Sequence, residues 1–169
     1  EERATANALI RARLNQLQGE DAEACLREGL RALEDARAAR LPLDAEDGNL
    51  VLYVVSRARN CSAALLDRAL AALQQHGAAA NTKTYNLLLG ACKPRGQHAR
   101  RPQHSDGRED DRDPLERTLV VLEMMERESI QRDDFSYSLI FSACARAARR
   151  NGARGLRLCL SLAGVCVPI

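Results

Sequence analysis

The chain has 169 residues, enough for one ordinary domain, and a formal net charge of +2, too small to argue for nucleic acid by itself. Its 46% apolar content is carried by Ala and Leu, Trp is absent, and Phe and Tyr together number five. This composition favours helices over strands and excludes a core built on large aromatic rings. No run approaches the roughly 18 apolar residues that a membrane span requires. Six cysteines (Cys25, Cys61, Cys92, Cys144, Cys159, Cys166) show no Cys-x-x-Cys spacing and no nearby histidine pairing. Small buried thiols in a reducing compartment fit that pattern better than a disulfide framework. The chain opens on Glu1-Glu2 without methionine or signal peptide, as a processed form or a fragment would, and a removed targeting peptide would leave no trace.

Leu9, Ile10, Leu14 and Leu17 recur at helical spacing and predict a first helix, interrupted at Gly19. Ala22, Cys25, Leu26, Leu30, Leu33 and Ala36 predict a second, ended by Leu41-Pro42. The plan then repeats. Acidic residues from Asp44 to Asp47 start a helix carrying Leu50, Val51, Val54 and Val55, which advance by three and four rather than by two. Ala64, Leu65, Ala69, Leu70 and Leu73 follow, closed by His76-Gly77, a glycine cap. A fifth helix is expected to be capped by Thr84 or Thr82, to bury Leu87, Leu88, Ala91 and Cys92, and to end at Lys93-Pro94.

The tract from 94 to 113 differs in kind, with two histidines, five arginines, five acids and no large apolar side chain. It cannot bury enough surface to offset its ordering entropy, so a disordered insertion is expected there. Asp113-Pro114 reads as a cap and first-turn proline before a helix with Leu115, Leu119, Leu122 and Met125 on one face. Phe135, Leu139, Ile140, Ala143 and Cys144 predict a further helix. After a break at Asn151-Gly152, Leu156 to Leu162 form a poorly patterned last one. Charge is uneven: Arg146, Arg149, Arg150, Arg154 and Arg157 face one acid, Asp134, in the last stretch, so basic character gathers there.

The helices fall into repeating pairs. Asn49 and Asn86 are 37 residues apart and bring Leu50, Val51, Val54 and Val55 into step with Leu87, Leu88, Ala91 and Cys92; Asn7 and Asn49 are 42 apart. Asn86 and Ser138 are 52 apart, and removing about 17 inserted residues restores a period near 35, the range of helical solenoids. The predicted fold is therefore all-α, an α-solenoid of about four helix-turn-helix repeats at 3–44, 45–81, 82–133 and 134–169.

Thr84-Tyr85-Asn86-Leu87-Leu88-Leu89, Val121-Leu122-Glu123-Met124-Met125 with Ile130-Gln131-Arg132-Asp133, and Ser136-Tyr137-Ser138-Leu139-Ile140 carry a resemblance to the pentatricopeptide repeat family. It covers nearly the whole chain, strongly in units three and four and weakly in the first two, where Ala6 and Gly48 replace the tyrosine. The resemblance implies a right-handed superhelix that reads single-stranded RNA, one base per unit. The readers it implies are Asn7 with Asp44, Asn49 with Asn81, Asn86 with Asp133, and Ser138 with a partner near Ile169. It further implies a mitochondrial or plastid location and a preference for uracil. Asn offers a base edge both a donor and an acceptor, and Asp accepts from a base N–H or orients the Asn.

Asn or Asp at such places is also an ordinary helix cap. The position that should sandwich the base holds Ala4, Glu46, Lys83 and Phe135 where the family prefers Val. Lys83, Arg146, Arg149 and Arg150 are the candidate phosphate contacts. Two functions remain open: an adaptor binding transcript or ribosomal RNA, and a non-catalytic structural subunit of an organellar ribonucleoprotein, such as a ribosome, packed on protein subunits. No phosphate loop, His-Glu-x-x-His or zinc spacing argues for an enzyme, a metal or a cofactor. His76, His98 and His104 read as solvated residues, and the acids at 109–111 and at Asp133-Asp134 as solvated or capping groups.

Overall fold

The computed structural model describes residues 2–17, 20–92 and 114–151, without the side chains of residues 2–6, 114, 147, 150 and 151. Gly19, the charged tract at 94–113, the helix expected beyond Asn151, His98, His104, Cys159 and Cys166 lie outside the described residues.

Among the described residues seven helices occur in chain order: α1 (Glu2–Asn15), α2 (Ala22–Ala38), α3 (Ala45–Arg57), α4 (Ala63–Gln75), α5 (Thr82–Ala91), α6 (Pro114–Arg127) and α7 (Asp134–Asn151). No strand forms among the described residues, and the protein is all-α in them. The chain divides into two compact units, Glu1–Leu88 and Leu89–Ile169.

Local signals set the helix boundaries. Asp44 accepts hydrogen bonds from the amides of Glu46 and Asp47 while the Asp47 carboxylate accepts from the Asp44 amide, a reciprocal capping box that opens α3. Ser62 caps α4 through the Leu65 amide. The cap of α5 is neither Thr82 nor Thr84. Asn81 takes that place, its carbonyl side chain accepting from the Thr84 amide and its own amide donating to the Thr84 hydroxyl. Asp133 and Ser136 make the same box before α7. Asp and Asn are stronger N-caps than Thr.

The three even-numbered helices end alike. Beyond α2, α4 and α6 the residues Arg40, Gly77 and Ser129 turn left-handed, with φ of 54°, 83° and 57°. In each case the next amide reaches back five residues to a carbonyl of the last turn: Leu41 to Ala36, Ala78 to Leu73, Ile130 to Met125, at 3.0, 3.0 and 2.8 Å. This Schellman closure normally selects glycine, and of the three sites Gly77 alone has one, which is why the sequence marks that end clearly and the other two poorly.

In the first unit α1 packs on α2, α2 on α3, and α3 on α4, with further contacts of α1 on α3 and of α2 on α4. Gly29 lets α3 approach α2: a Cβ there would collide with the Val51 side chain. Gly48 does the same for the closing turn of α4, since its Cβ would lie 2.8 Å from that of Ala78. The turns before α2 and α4 are stitched as well, with the Ala22 amide donating to the Arg59 carbonyl (2.9 Å), the Arg59 amide to the Glu20 carbonyl (3.2 Å) and Asn60 Nδ2 to Asp21 Oδ1 (3.0 Å). In the second unit α6 packs on α7, burying Leu115, Val121, Leu122 and Met125 of the one and Leu139, Ile140, Ala143 and Cys144 of the other.

Several faces differ from the sequence expectation. Leu9 is exposed, Leu52 is buried while Leu50 and Val54 are half-buried, and α5 buries Tyr85, Leu88 and Leu89 in preference to Leu87, Ala91 and Cys92. Phe135 is largely exposed at the start of α7, Leu30, Leu119 and Leu17 are half-buried, and Ala64 is exposed. Helical spacing defines a stripe about 100° wide, and the helices packed around it decide which flank is covered.

Candidate nucleic-acid interface

The predicted readers divide into two structural classes. Asp44, Asn81 and Asp133 are caps, each standing immediately before a helix, and Asn7, Asn49, Asn86 and Ser138 lie within helices. Five residues separate each cap from the reader that follows it in the same helix, as between Asp44 and Asn49.

Around Asn49 the structure brings one predicted pair together. Asn49 Nδ2 donates to Asn81 Oδ1 at 3.1 Å, across 32 residues of sequence. Thr84 Oγ1 lies 2.6 Å from Asn49 Oδ1 and 3.1 Å from Asn81 Oδ1, so its single proton goes to the nearer Asn49, and the hydroxyl accepts from the Asn81 amide at 2.9 Å. Asn49 is 3% exposed and Asn81 half-buried. A hydrogen-bonded polar knot of three side chains thus ties α3 to the start of α5.

Asn7 is placed in a related way. Its Nδ2 donates to Asp47 Oδ1 at 3.3 Å, and Arg11 Nε donates to its Oδ1 at 2.7 Å. The expected partner Asp44 caps α3, so Asn7 meets that capping box through its other acid. In both places the reader on one helix bonds the third residue of the next box, Asp47 or Thr84. The sequence expectation missed these two residues, although a cap followed three positions later by an acid or hydroxyl is a readable signal.

Asn86 is buried and belongs to the first unit, whereas Asp133 belongs to the second, where its carboxylate accepts from the Ser136 amide and hydroxyl, both at 2.7 Å. Ser138 is exposed and its hydroxyl donates to the Phe135 carbonyl at 2.8 Å. The residues near Ile169 expected to complete it lie outside the described residues.

Among the candidate phosphate contacts, Lys83 is exposed and ion-paired with Glu46, 37 residues earlier. Arg146 is half-buried; its Nη1 donates to Ser142 Oγ at 2.6 Å, and its Nε and Nη2 are buried with no hydrogen-bond partner among the described residues. Arg149 is exposed, with Nε donating to the Ala145 carbonyl at 3.3 Å, and the side chain of Arg150 lies outside the described residues. Arg149 is therefore the candidate with the clearest access to a phosphate.

His76 Nδ1 lies 2.8 Å from the Ala72 carbonyl oxygen and Nε2 3.1 Å from Glu34 Oε1. Both neighbours are acceptors, so they favour the doubly protonated ring: the Ala72 carbonyl first, then the Glu34 carboxylate, hold the His76 pKa above its ordinary value. Burial, with the nearby Glu20 and Asp21, pushes the Cys25 thiol up. Among the described residues, no group of three or more His, Cys, Asp or Glu is placed to hold a metal ion, and no helix is long and apolar enough to cross a membrane. In comparisons with family models, curated proteins and solved structures, the chain matches none.

Proposed function

We propose that the chain is a pentatricopeptide-type RNA-binding protein, a right-handed solenoid contacting single-stranded, uracil-containing RNA in transcript processing, stability or translation in a mitochondrion or plastid. The solenoid reading is supported by α1 packing on both α2 and α3 and α2 on α4, as stacked pairs do, and by the recurrence of caps before α3, α5 and α7 with Schellman closures after α2, α4 and α6. The RNA reading is carried by one observation: Asn49 and Asn81, named as a reading pair from sequence, are hydrogen-bonded to each other. An amide pair of this kind presents donors and acceptors to a pyrimidine edge once its internal bonds are exchanged for bonds to the base.

The second reading, a structural subunit of an organellar ribonucleoprotein such as a ribosome, is favoured by the same network seen from the other side. Asn49 is nearly inaccessible, its polar atoms serve Asn81 and Thr84, and the charge of Lys83 is met by Glu46.

Fluorescence anisotropy of the 169-residue chain with oligouridine and with oligoadenosine, each at two salt concentrations, separates them. The RNA reading expects tighter binding to oligouridine, weakening as salt rises because phosphate contacts release counterions. Equal, undetectable binding to both would leave the structural-subunit reading.

A further inference from the structure

Where α2 packs on α4, the first unit carries a cleft of about 390 Å³. Its floor is apolar, made by Leu26, which is 5% exposed, and the half-buried Leu30. Three guanidiniums border it, those of Arg27 and Arg31 on α2 and of Arg68 on α4, against two carboxylates, Glu23 and Glu34. The predicted readers are absent from its lining.

The two acids are engaged with α4 or the turn that closes it. Glu23 accepts from Arg68 Nη2 at 2.8 Å and from its Nη1 at 3.4 Å, and Glu34 Oε1 lies 3.1 Å from His76 Nε2. The arginines keep donors to spare. Arg31 uses Nη1 on Glu28 at 2.7 Å, and among the described residues Arg27 forms neither an ion pair nor a hydrogen bond. A guanidinium has several N–H donors and no acceptor, so the cleft combines an excess of donors and of positive charge with an apolar floor. An occupant that answers both brings acceptor oxygens and apolar side chains together.

Spacing narrows its shape. Arg27 and Arg31 are four residues apart on α2, as are Leu26 and Leu30, so each pair stands one helical turn apart. Carboxylates one turn apart on a second helix repeat that interval, and such a helix lays its apolar stripe between them. A nucleic acid fits less well. Glu23 and Glu34 repel a run of phosphates, and no aromatic ring lines the cleft to stack a base.

We propose that this cleft docks an acidic amphipathic helix of a partner protein, whose carboxylates pair with Arg27 and Arg31 while its leucine-type side chains cover Leu26 and Leu30. Arginine pairs with carboxylates through two parallel hydrogen bonds, and the exposed ion pair of Arg31 with Glu28 yields to such a ligand at small cost. The proposal does not rest on RNA binding.

Fluorescence anisotropy of the 169-residue chain with a labelled synthetic helix tests it. The probe is an Ala-, Leu- and Glu-containing peptide about 14 residues long with its glutamates one turn apart, and the control carries Gln at every Glu. The glutamate peptide should bind saturably, and the control about tenfold or more weakly. Arg27→Glu and Arg31→Glu should each weaken the glutamate peptide about tenfold with unchanged far-UV circular dichroism, since both residues are exposed. A lysine version of the peptide should bind the double variant Arg27→Glu/Arg31→Glu better than it binds the wild type. Arg27→Gln repeats the test should Arg27→Glu lose helicity.

No saturable binding of the glutamate peptide overturns the proposal. Equal binding of the glutamate and glutamine peptides does so too, as does a double variant that fails to prefer the lysine peptide. Loss of oligouridine binding by Arg27→Glu with the glutamate peptide unaffected would also overturn it, by assigning the arginines to phosphates.

Discussion

Replacing Thr84 with valine removes one hydroxyl and almost no volume, which makes it a sharp probe of the polar knot between α3 and α5. The hydroxyl donates to Asn49 Oδ1 at 2.6 Å and accepts from the Asn81 amide at 2.9 Å, so valine strands one acceptor and one donor. Asn81 is half-buried, and water takes over its amide at small cost; Asn49 is 3% exposed, and its oxygen has no such relief. An unsatisfied buried group costs about 1–3 kcal/mol and a lost partly exposed bond about 0.5–1.5 kcal/mol, so Thr84→Val should destabilise the protein by about 2–4 kcal/mol. Urea unfolding followed by far-UV circular dichroism reads this as a lowered midpoint with an unchanged slope. The double variant Asn49→Leu/Thr84→Val replaces both ends of the short bond with apolar groups and should lose clearly less than the sum of the single changes, a coupling of about 0.5–3 kcal/mol. If Thr84→Val stays within about 0.5 kcal/mol of the wild type, or if the two changes simply add, the network does not hold α3 to α5 and the argument is wrong.

Two further outcomes are expected from the same unfolding measurement. Gly29→Ala gains about 1 kcal/mol of helix propensity but drives a methyl into Val51, an overpacking worth about 1–3 kcal/mol, so alone it should be neutral to destabilising. In a Val51→Ala background the collision disappears and the same change should become stabilising; an effect of equal sign in both backgrounds would contradict the α2–α3 packing. For His76 the folded state raises the pKa above the ordinary 6.5, because the Ala72 carbonyl and Glu34 favour the charged ring. The folded state binds the proton more tightly than the unfolded one, so this contribution is fully present below pH 6.5 and is lost as pH rises through the folded pKa. The urea midpoint should fall over that window, and His76→Gln should flatten the fall; an unchanged pH profile in the variant would show that the ring carries none of it.

The knot around Asn49 bears on both functional readings. An Asn that is to read a base must exchange internal bonds for bonds to RNA, and here those bonds also hold one helix pair to the next. Binding at Asn49 is then coupled to local opening between α3 and α5, and weakening the network by Thr84→Val separates the roles: a reading site released from its clamp keeps or gains affinity for oligouridine, whereas a purely structural residue shows the stability loss alone. Exposed ion pairs such as Lys83–Glu46 contribute little to stability, so that pairing matters mainly by neutralising the lysine.

The all-helical class, the helix pairs and most boundaries were legible in the sequence, because they depend on signals within a few residues: Ala and Leu at helical spacing, Pro42 after α2, Ser62 before α4, Gly77 after it and Pro114 at the start of α6. The hydrogen bond between Asn49 and Asn81, 32 residues apart, is not a local signal. Tertiary structure decided the rest. Asn81 became the cap of α5 and Asn49 a buried partner to it; Arg40 and Ser129 entered left-handed turns without glycine because packed helices hold the chain there; Leu9 and Phe141 were left exposed while Val51, Leu52 and Leu89 were covered. A sequence period shows which side of a helix is apolar. Which part of that side is covered depends on another helix that can lie some 30 to 40 residues away, and its placement is a property of the packed chain.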